Sequence, residues 1–312
     1  MIDGPILVLL GVVGAILVVA TLVGRAVARQ ASTARQRAAA ADLQRRIHAW
    51  WGMIPVMVGC LWLEWPGILG FFAVVSFLAL RELITLVPTH RADHTTLLLA
   101  FLFAVPVQYG LVWTGWTGLF LVFVPVWMLL VVSVRVALTG DPRDYLRRVA
   151  AIQYVLLVGV YALSHAPAMR LLDLDGLAGR EHLLVVFLVV VTQASDVLQF
   201  IWGKLAGRTP LLPMVSPHKT VEGLVGGLGS TIVVGALLAP LLPFPRWETA
   251  VLAGITATAG WLGGVVLSAI KRDAGVKDYG RLIRGHGGIL DRADSLVFAA
   301  PVLFHVLWWV HG

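Results

Sequence analysis

The chain has 312 residues, 59% of them hydrophobic and 13% charged, with a mean hydropathy of +0.87. That balance excludes a disordered or collagen-like chain, and the lone cysteine, Cys60, excludes an internal disulfide or a multi-cysteine metal site. The formal charge of +7 falls in short patches between apolar runs, a pattern that fits anionic lipid headgroups and not nucleic acid.

Ten apolar segments follow one another, at about 4–24, 49–63, 67–87, 96–113, 117–138, 149–166, 183–203, 221–243, 249–270 and 295–311. A span needs about 20 mostly apolar residues, so the chain is expected to be all-α: a polytopic transmembrane helix bundle of about ten membrane segments. Three regions are expected. Residues 1–48 form an anchor helix and a basic linker, 49–182 an N-terminal bundle, and 183–312 a C-terminal region that carries the chemistry.

The first segment lacks the basic start of a cleavable signal, since only Asp3 precedes it. It reads as an uncleaved anchor with its N-terminus outside. The second is short and is parted from the third by Glu64, Trp65 and Pro66 alone. A tight helical hairpin is expected there, with a re-entrant loop as the alternative. Arg81-Glu82 reads as a local ion pair, and His165 as structural. With ten spans, 21 of the 24 Lys and Arg residues fall on one side and only Arg170, Arg180 and Arg246 on the other. Basic loops stay in the cytoplasm, so both termini are expected outside and every conspicuous polar motif inside. Matched broken helices in two halves, the mark of many transporters, are not evident.

Polar residues become dense and ordered in two stretches of the C-terminal third. The first holds Gln193, Ser195 and Asp196, then Gly203-Lys204, then Ser216-Pro217-His218-Lys219-Thr220-Val221-Glu222-Gly223. Ser216 before Pro217 fits an N-cap followed by proline at the first helical position. The helix start beside Lys219 would then be an anion site, although for this feature alone an ordinary capped helix is the preferred reading. Gly223, Gly226, Gly227 and Gly229 read as close helix packing. Asp196 sits inside an apolar run, where a carboxylate is costly and faces a polar cavity or a partner.

The second stretch holds Ser268, Lys271, Arg272, Asp273, Lys277, Asp278, His286, Gly287, Gly288, Asp291, Arg292, Asp294 and Ser295. Lys271 and Arg272 lie where a span leaves the membrane, at phosphate height. Gly287-Gly288 lets backbone N–H groups approach an oxyanion. Asp291 and Asp294 are three apart and share a face if the last helix starts near Asp291. Hard oxygen donors of this kind suit Mg²⁺, which takes one or two carboxylates plus substrate phosphates. A solvated basic loop with a helix cap is the alternative.

Ser268-x-x-Lys271-Arg272, Lys277-Asp278 and His286-Gly287-Gly288-x-x-Asp291-Arg292-x-Asp294 together resemble the signature of the phosphatidate cytidylyltransferases. Asp196, Gly203-Lys204 and Ser216-Pro217-x-Lys219-Thr220-x-Glu222-Gly223 resemble the same family. The stretch from Arg46 through Trp50-Trp51 resembles a paralogous bacterial branch. The resemblance implies a transferase that makes CDP-diacylglycerol and pyrophosphate from CTP and phosphatidate or a related lipid phosphate, in the inner membrane with its site toward the cytoplasm. It implies Mg²⁺, with the identity of a second cation left open, and a homodimer, since family members look dimeric.

By that resemblance Asp291 binds metal, with Asp196 and Asp294 completing the site. Lys271, Arg272, Lys277, Lys219 and Arg292 take phosphates, with Lys204 also on the substrate side. Ser216, Thr220, Ser268 and His286 supply hydrogen bonds, and Asp278 and Glu222 orient the basic groups. One position departs. The family usually carries aspartate four residues before the signature serine, and here Gly264 stands there. The site is then short of a negative charge, so a relative that binds lipid or nucleotide without turnover is the second expectation.

Overall fold

The computed structural model describes residues 4–30, 32–87, 90, 93–280, 282 and 287–312. The chain is a helical bundle. It begins with α1 (Gly4–Gln30), α2 (Ala34–Trp62) and α3 (Glu64–Ile84). Next come α4 (His94–Leu99) and α5 (Val105–Thr114), α6 (Thr117–Val122) and α7 (Leu129–Ala137), then α8 (Tyr145–Leu156) and α9 (Leu163–Ala168). The C-terminal part is α10 (His182–Leu205), a short hairpin of β1 (Pro210–Leu212) and β2 (Ser216–Thr220), α11 (Val221–Leu237), α12 (Arg246–Asp273) and α13 (Leu290–His311).

Each of the ten expected apolar segments is helical. Eight helices among the described residues are long and apolar enough to cross a membrane, and the segments Trp50–Trp62 and Val221–Leu237 are shorter apolar helices. The outer surface is apolar, as a bilayer requires: Val8, Trp62, Leu102, Phe200 and Val225 are all exposed. The expected bend between the second and third segments is present. Helix α2 ends at Trp62, Glu64 takes a positive φ of 57°, and α2 packs on α3 around it.

Three of the spans contain a π-helical stretch, at Ala100–Ala104, Phe123–Met128 and Leu157–Ala162. The second contains Pro125, which has no N–H to offer the carbonyl of Leu121. That carbonyl instead accepts the Tyr161 hydroxyl at 3.1 Å, while the Phe120 carbonyl accepts Gln108 Nε2 at 3.3 Å. No water is present in a bilayer core to do this, so neighbouring helices must. His165 is fully buried beside this group, its Nδ1 2.8 Å from the Tyr161 carbonyl.

The C-terminal helices pack antiparallel. Gly223 and Gly227 of α11 face Gln199 of α10, and Gly226 lies under the Trp202 ring. A side chain at any of the three would collide, whereas Gly229 faces open space. Close packing therefore explains three of the four glycines. Helix α12 runs back beside α13: Glu248 and His311 pair at one end, Lys271 and Asp291 at the other. Glycines 260 and 263 of α12 let the backbone of α13 approach, with Ser295 and Asp294 carbonyls 3.3 and 2.8 Å from where a Cβ would lie.

Ser216 is not an N-cap. It opens β2, paired with Leu212, and the helix starts five residues later. The cap is Thr220, whose Oγ1 accepts the Gly223 N–H at 3.1 Å. Pro217 fits an extended strand as readily as a first helical turn, and strand pairing decides between them.

Candidate functional site

The two polar stretches, parted in sequence by more than 40 residues, come together at one end of α10–α13. Lys219 leaves β2 and reaches α12. A Cβ built on Gly264 would lie 3.3 Å from Lys219 Nζ and 3.8 Å from Asp294 Oδ2. The Lys219 ammonium also stands 5.9 Å from the Trp261 ring. Burial pushes Lys219 below the usual lysine value, the Asp294 and Asp196 carboxylates pull it part of the way back, and the Lys271 charge lowers it further.

Asp196 and Asp294 lie within each other's electrostatic field, and both feel Lys219 and Arg292. By surface area Asp196 is exposed and Asp294 half-buried. Arg292 Nε is buried without a hydrogen-bond partner among the described residues, and the Ser295 side chain lies beside Asp196. One cationic donor is thus left unmatched within the field of two carboxylates.

Asp291 is held differently. Its Oδ1 accepts Lys271 Nζ at 2.9 Å, and its Oδ2 accepts the N–H groups of Tyr279 and Gly288, each at 2.8 Å. The Tyr279 hydroxyl donates to the Leu267 carbonyl at 2.7 Å, and Lys271 stands 5.2 Å from the Tyr279 ring. One carboxylate therefore joins the end of α12, the segment after it and the start of α13. Gly287, at φ 81°, provides the turn into this contact. The Gly288 amide is taken by a carboxylate of the chain itself.

Glu82 is the unexpected member. It makes no local pair with Arg81 among the described residues. Its two oxygens accept the N–H groups of Ile289 and Leu290, both at 2.9 Å, so α3 caps the start of α13. Arg81-Glu82 is therefore not the interfacial ion pair read from adjacency. The free amides of a helix N-terminus attract a carboxylate more strongly than an exposed neighbour does. Neither Glu82 nor Tyr279 was found from the sequence. The only local signal for Glu82 is an acid in the last turn of a helix, where the dipole opposes it.

The remaining candidates divide by what they touch. Arg272 donates from Nε to the Val215 carbonyl at 3.3 Å and ties the β hairpin to the end of α12. Ser268 Oγ donates to the Gly264 carbonyl at 2.6 Å. Glu222 accepts the N–H groups of Arg208 and Thr209 at 3.0 and 3.2 Å, so it holds loop backbone and not a basic side chain. Lys277 and Asp278 are exposed, and Lys204 is exposed with its ammonium 5.7 Å from the Phe200 ring. His286 lies outside the described residues.

No cluster of three His, Cys, Asp or Glu side chains poised for a metal exists among the described residues. Both Asp291 oxygens have donors from the chain, whereas Asp294 has one, the Ser295 N–H at 2.9 Å on Oδ1, so Asp196 and Asp294 are the carboxylates that could take a hard cation. Two carboxylates suffice for Mg²⁺ when phosphates complete its shell.

Fold and site together define a polytopic membrane protein with a polar, cation-rich centre at one end of a four-helix C-terminal bundle. Residues 44–310 match the model of the cytidylyltransferase family, and the chain belongs to that family. It is 40% identical over 271 residues to the uncharacterized protein YnbB of Escherichia coli K12, covering 85% of this chain and 87% of that one. It is also 49% identical over 114 residues to a phosphatidate cytidylyltransferase of Synechocystis, and 42% over 127 residues to one of Staphylococcus saprophyticus. Those matches cover 36% and 40% of this chain, and 39% and 48% of the two enzymes.

Proposed function

We propose that the chain transfers the cytidylyl group of CTP to phosphatidate, or to a closely related lipid phosphate, releasing pyrophosphate at the cytoplasmic face of the inner membrane. The observation that carries this reading is the meeting of Lys219, from the first polar stretch, with Gly264 and Asp294 in the second. Family membership and the partial matches to phosphatidate cytidylyltransferases support the reaction class. The positive-inside count supports the orientation.

The lipid phosphate oxygen attacks the α-phosphorus of CTP, and the bond to the bridging oxygen of pyrophosphate breaks. No covalent enzyme intermediate is needed, so the chain acts by positioning and charge neutralisation. Asp196 and Asp294 would hold Mg²⁺, which supplies charge neutralisation on the phosphates. Lys219 and Arg292 both act electrostatically on these two carboxylates. Lys271 and Asp291 keep the segment before α13 in register.

Purified protein given CTP, Mg²⁺ and phosphatidate is expected to form CDP-diacylglycerol and pyrophosphate. Lys219→Ala is expected to reduce turnover about 100-fold. No product with any of several cations and lipid phosphates would reject the reading. Gly264 favours a second reading, binding without turnover, because it leaves a gap between Lys219 and Asp294. A large gain in Gly264→Asp over a silent parent would establish that one.

A further inference from the structure

The carboxylate of Glu82 comes from α3, in the half of the chain that carries none of the signature. It accepts the Ile289 and Leu290 N–H groups, 207 and 208 positions away. Two residues later α3 ends at Ile84. A negative charge in the last turn of a helix opposes the helix dipole, whereas the first turn of α13 welcomes it. The remote contact offsets the local cost at α3.

The surroundings are built for this carboxylate. A Cβ on Gly280 would fall 2.6 Å from Glu82 Oε1, and Gly288 is closer still, so both glycines leave room for it. The next amide in order, that of Gly288, goes to Asp291. Three consecutive amides at the start of α13 are thus held by two carboxylates, one from the same helix and one from across the bundle. Asp291, Arg292 and Asp294 lie within six residues of those amides.

We propose that Glu82 is a positioning residue: by fixing the first turn of α13 it sets where Asp294 and Arg292 stand relative to Lys219. It touches backbone and acts on phosphate only through the helix. The inference rests on the proposed function for its catalytic consequence, and on the contact alone for its structural one.

The test uses the full chain in lipid nanodiscs and the variants Glu82→Gln and Glu82→Asp. Gln keeps the shape but presents an N–H donor toward one of the two amides. Amide exchange at Ile289 and Leu290 is expected to rise about 10-fold or more in Glu82→Gln, with exchange in α10 and α11 unchanged. Mn²⁺ binding, read by its magnetic resonance signal, is expected to weaken several-fold, and Glu82→Asp to recover part of both effects. Unchanged exchange at 289 and 290, or an equal rise throughout the chain, would overturn the proposal. A parent that makes no CDP-lipid while the local exchange rises as expected would reject the reaction and leave the positioning role standing.

Discussion

At the scale of single residues, one buried ion pair is matched closely by geometry. Arg148 and Asp93 are both almost fully buried. The guanidinium meets both carboxylate oxygens, with Nε 2.9 Å from Oδ2, and also reaches the Asp141 carbonyl at 2.7 Å. Burial alone would raise Asp93, but hydrogen bonds and charge from Arg148, with the His90 N–H, hold it below its ordinary 3.8. The folded carboxyl therefore binds a proton less readily than the unfolded one. Its stabilisation is complete at neutral pH and fades as pH falls below the ordinary carboxylate range. Asp93→Asn is expected to cost about 3 kcal/mol at pH 7, because Arg148 is left unpaired. That difference from the parent should shrink toward pH 3 in equilibrium unfolding, and a difference independent of pH would contradict the assignment.

At the scale of helices, the small residues of α11 separate into those that pack and one that does not. A Cβ at Gly227 would lie 2.7 Å from Gln199 Cα, which cannot swing aside. Gly227→Ala is expected to destabilise by about 1–3 kcal/mol. Gly229→Ala meets nothing and should be neutral or slightly stabilising, since alanine is the better helix former. Thermal unfolding in detergent compares the two, and equal effects would contradict the packing account.

The helices themselves were legible from the sequence, because apolarity over 20 residues is a one-dimensional signal. Their ends were less so. Ser216-Pro217 carries a helix-start pattern that a two-strand hairpin overrides. Asp291, marked by spacing as a metal donor, has both oxygens occupied by Lys271 and two backbone amides, a partition that depends on how the segment after α12 folds back. Glu82 was invisible for a simpler reason: a contact across 207 positions leaves no local pattern.

At the scale of the whole molecule, orientation decides whether the site can meet a soluble nucleotide. Cys60 is the one native thiol, so Cys60→Ser gives a clean background. A cysteine placed at exposed Lys277 is expected to react with a membrane-impermeant maleimide only in inside-out vesicles, and one at exposed Ala178 only in intact spheroplasts. The reverse pattern would turn the proposed site away from CTP.

The 17 residues of α11 rise about 26 Å, short of the roughly 30 Å of hydrocarbon in a typical bilayer. Its Val225, Val233 and Leu237 are exposed, and a lipid annulus thinned there would match them. Headgroups beside Lys219 would then sink toward the ammonium, and turnover is expected to climb as acyl chains are shortened. Hydrophobic mismatch, elsewhere a penalty, would here draw the lipid substrate toward the protein.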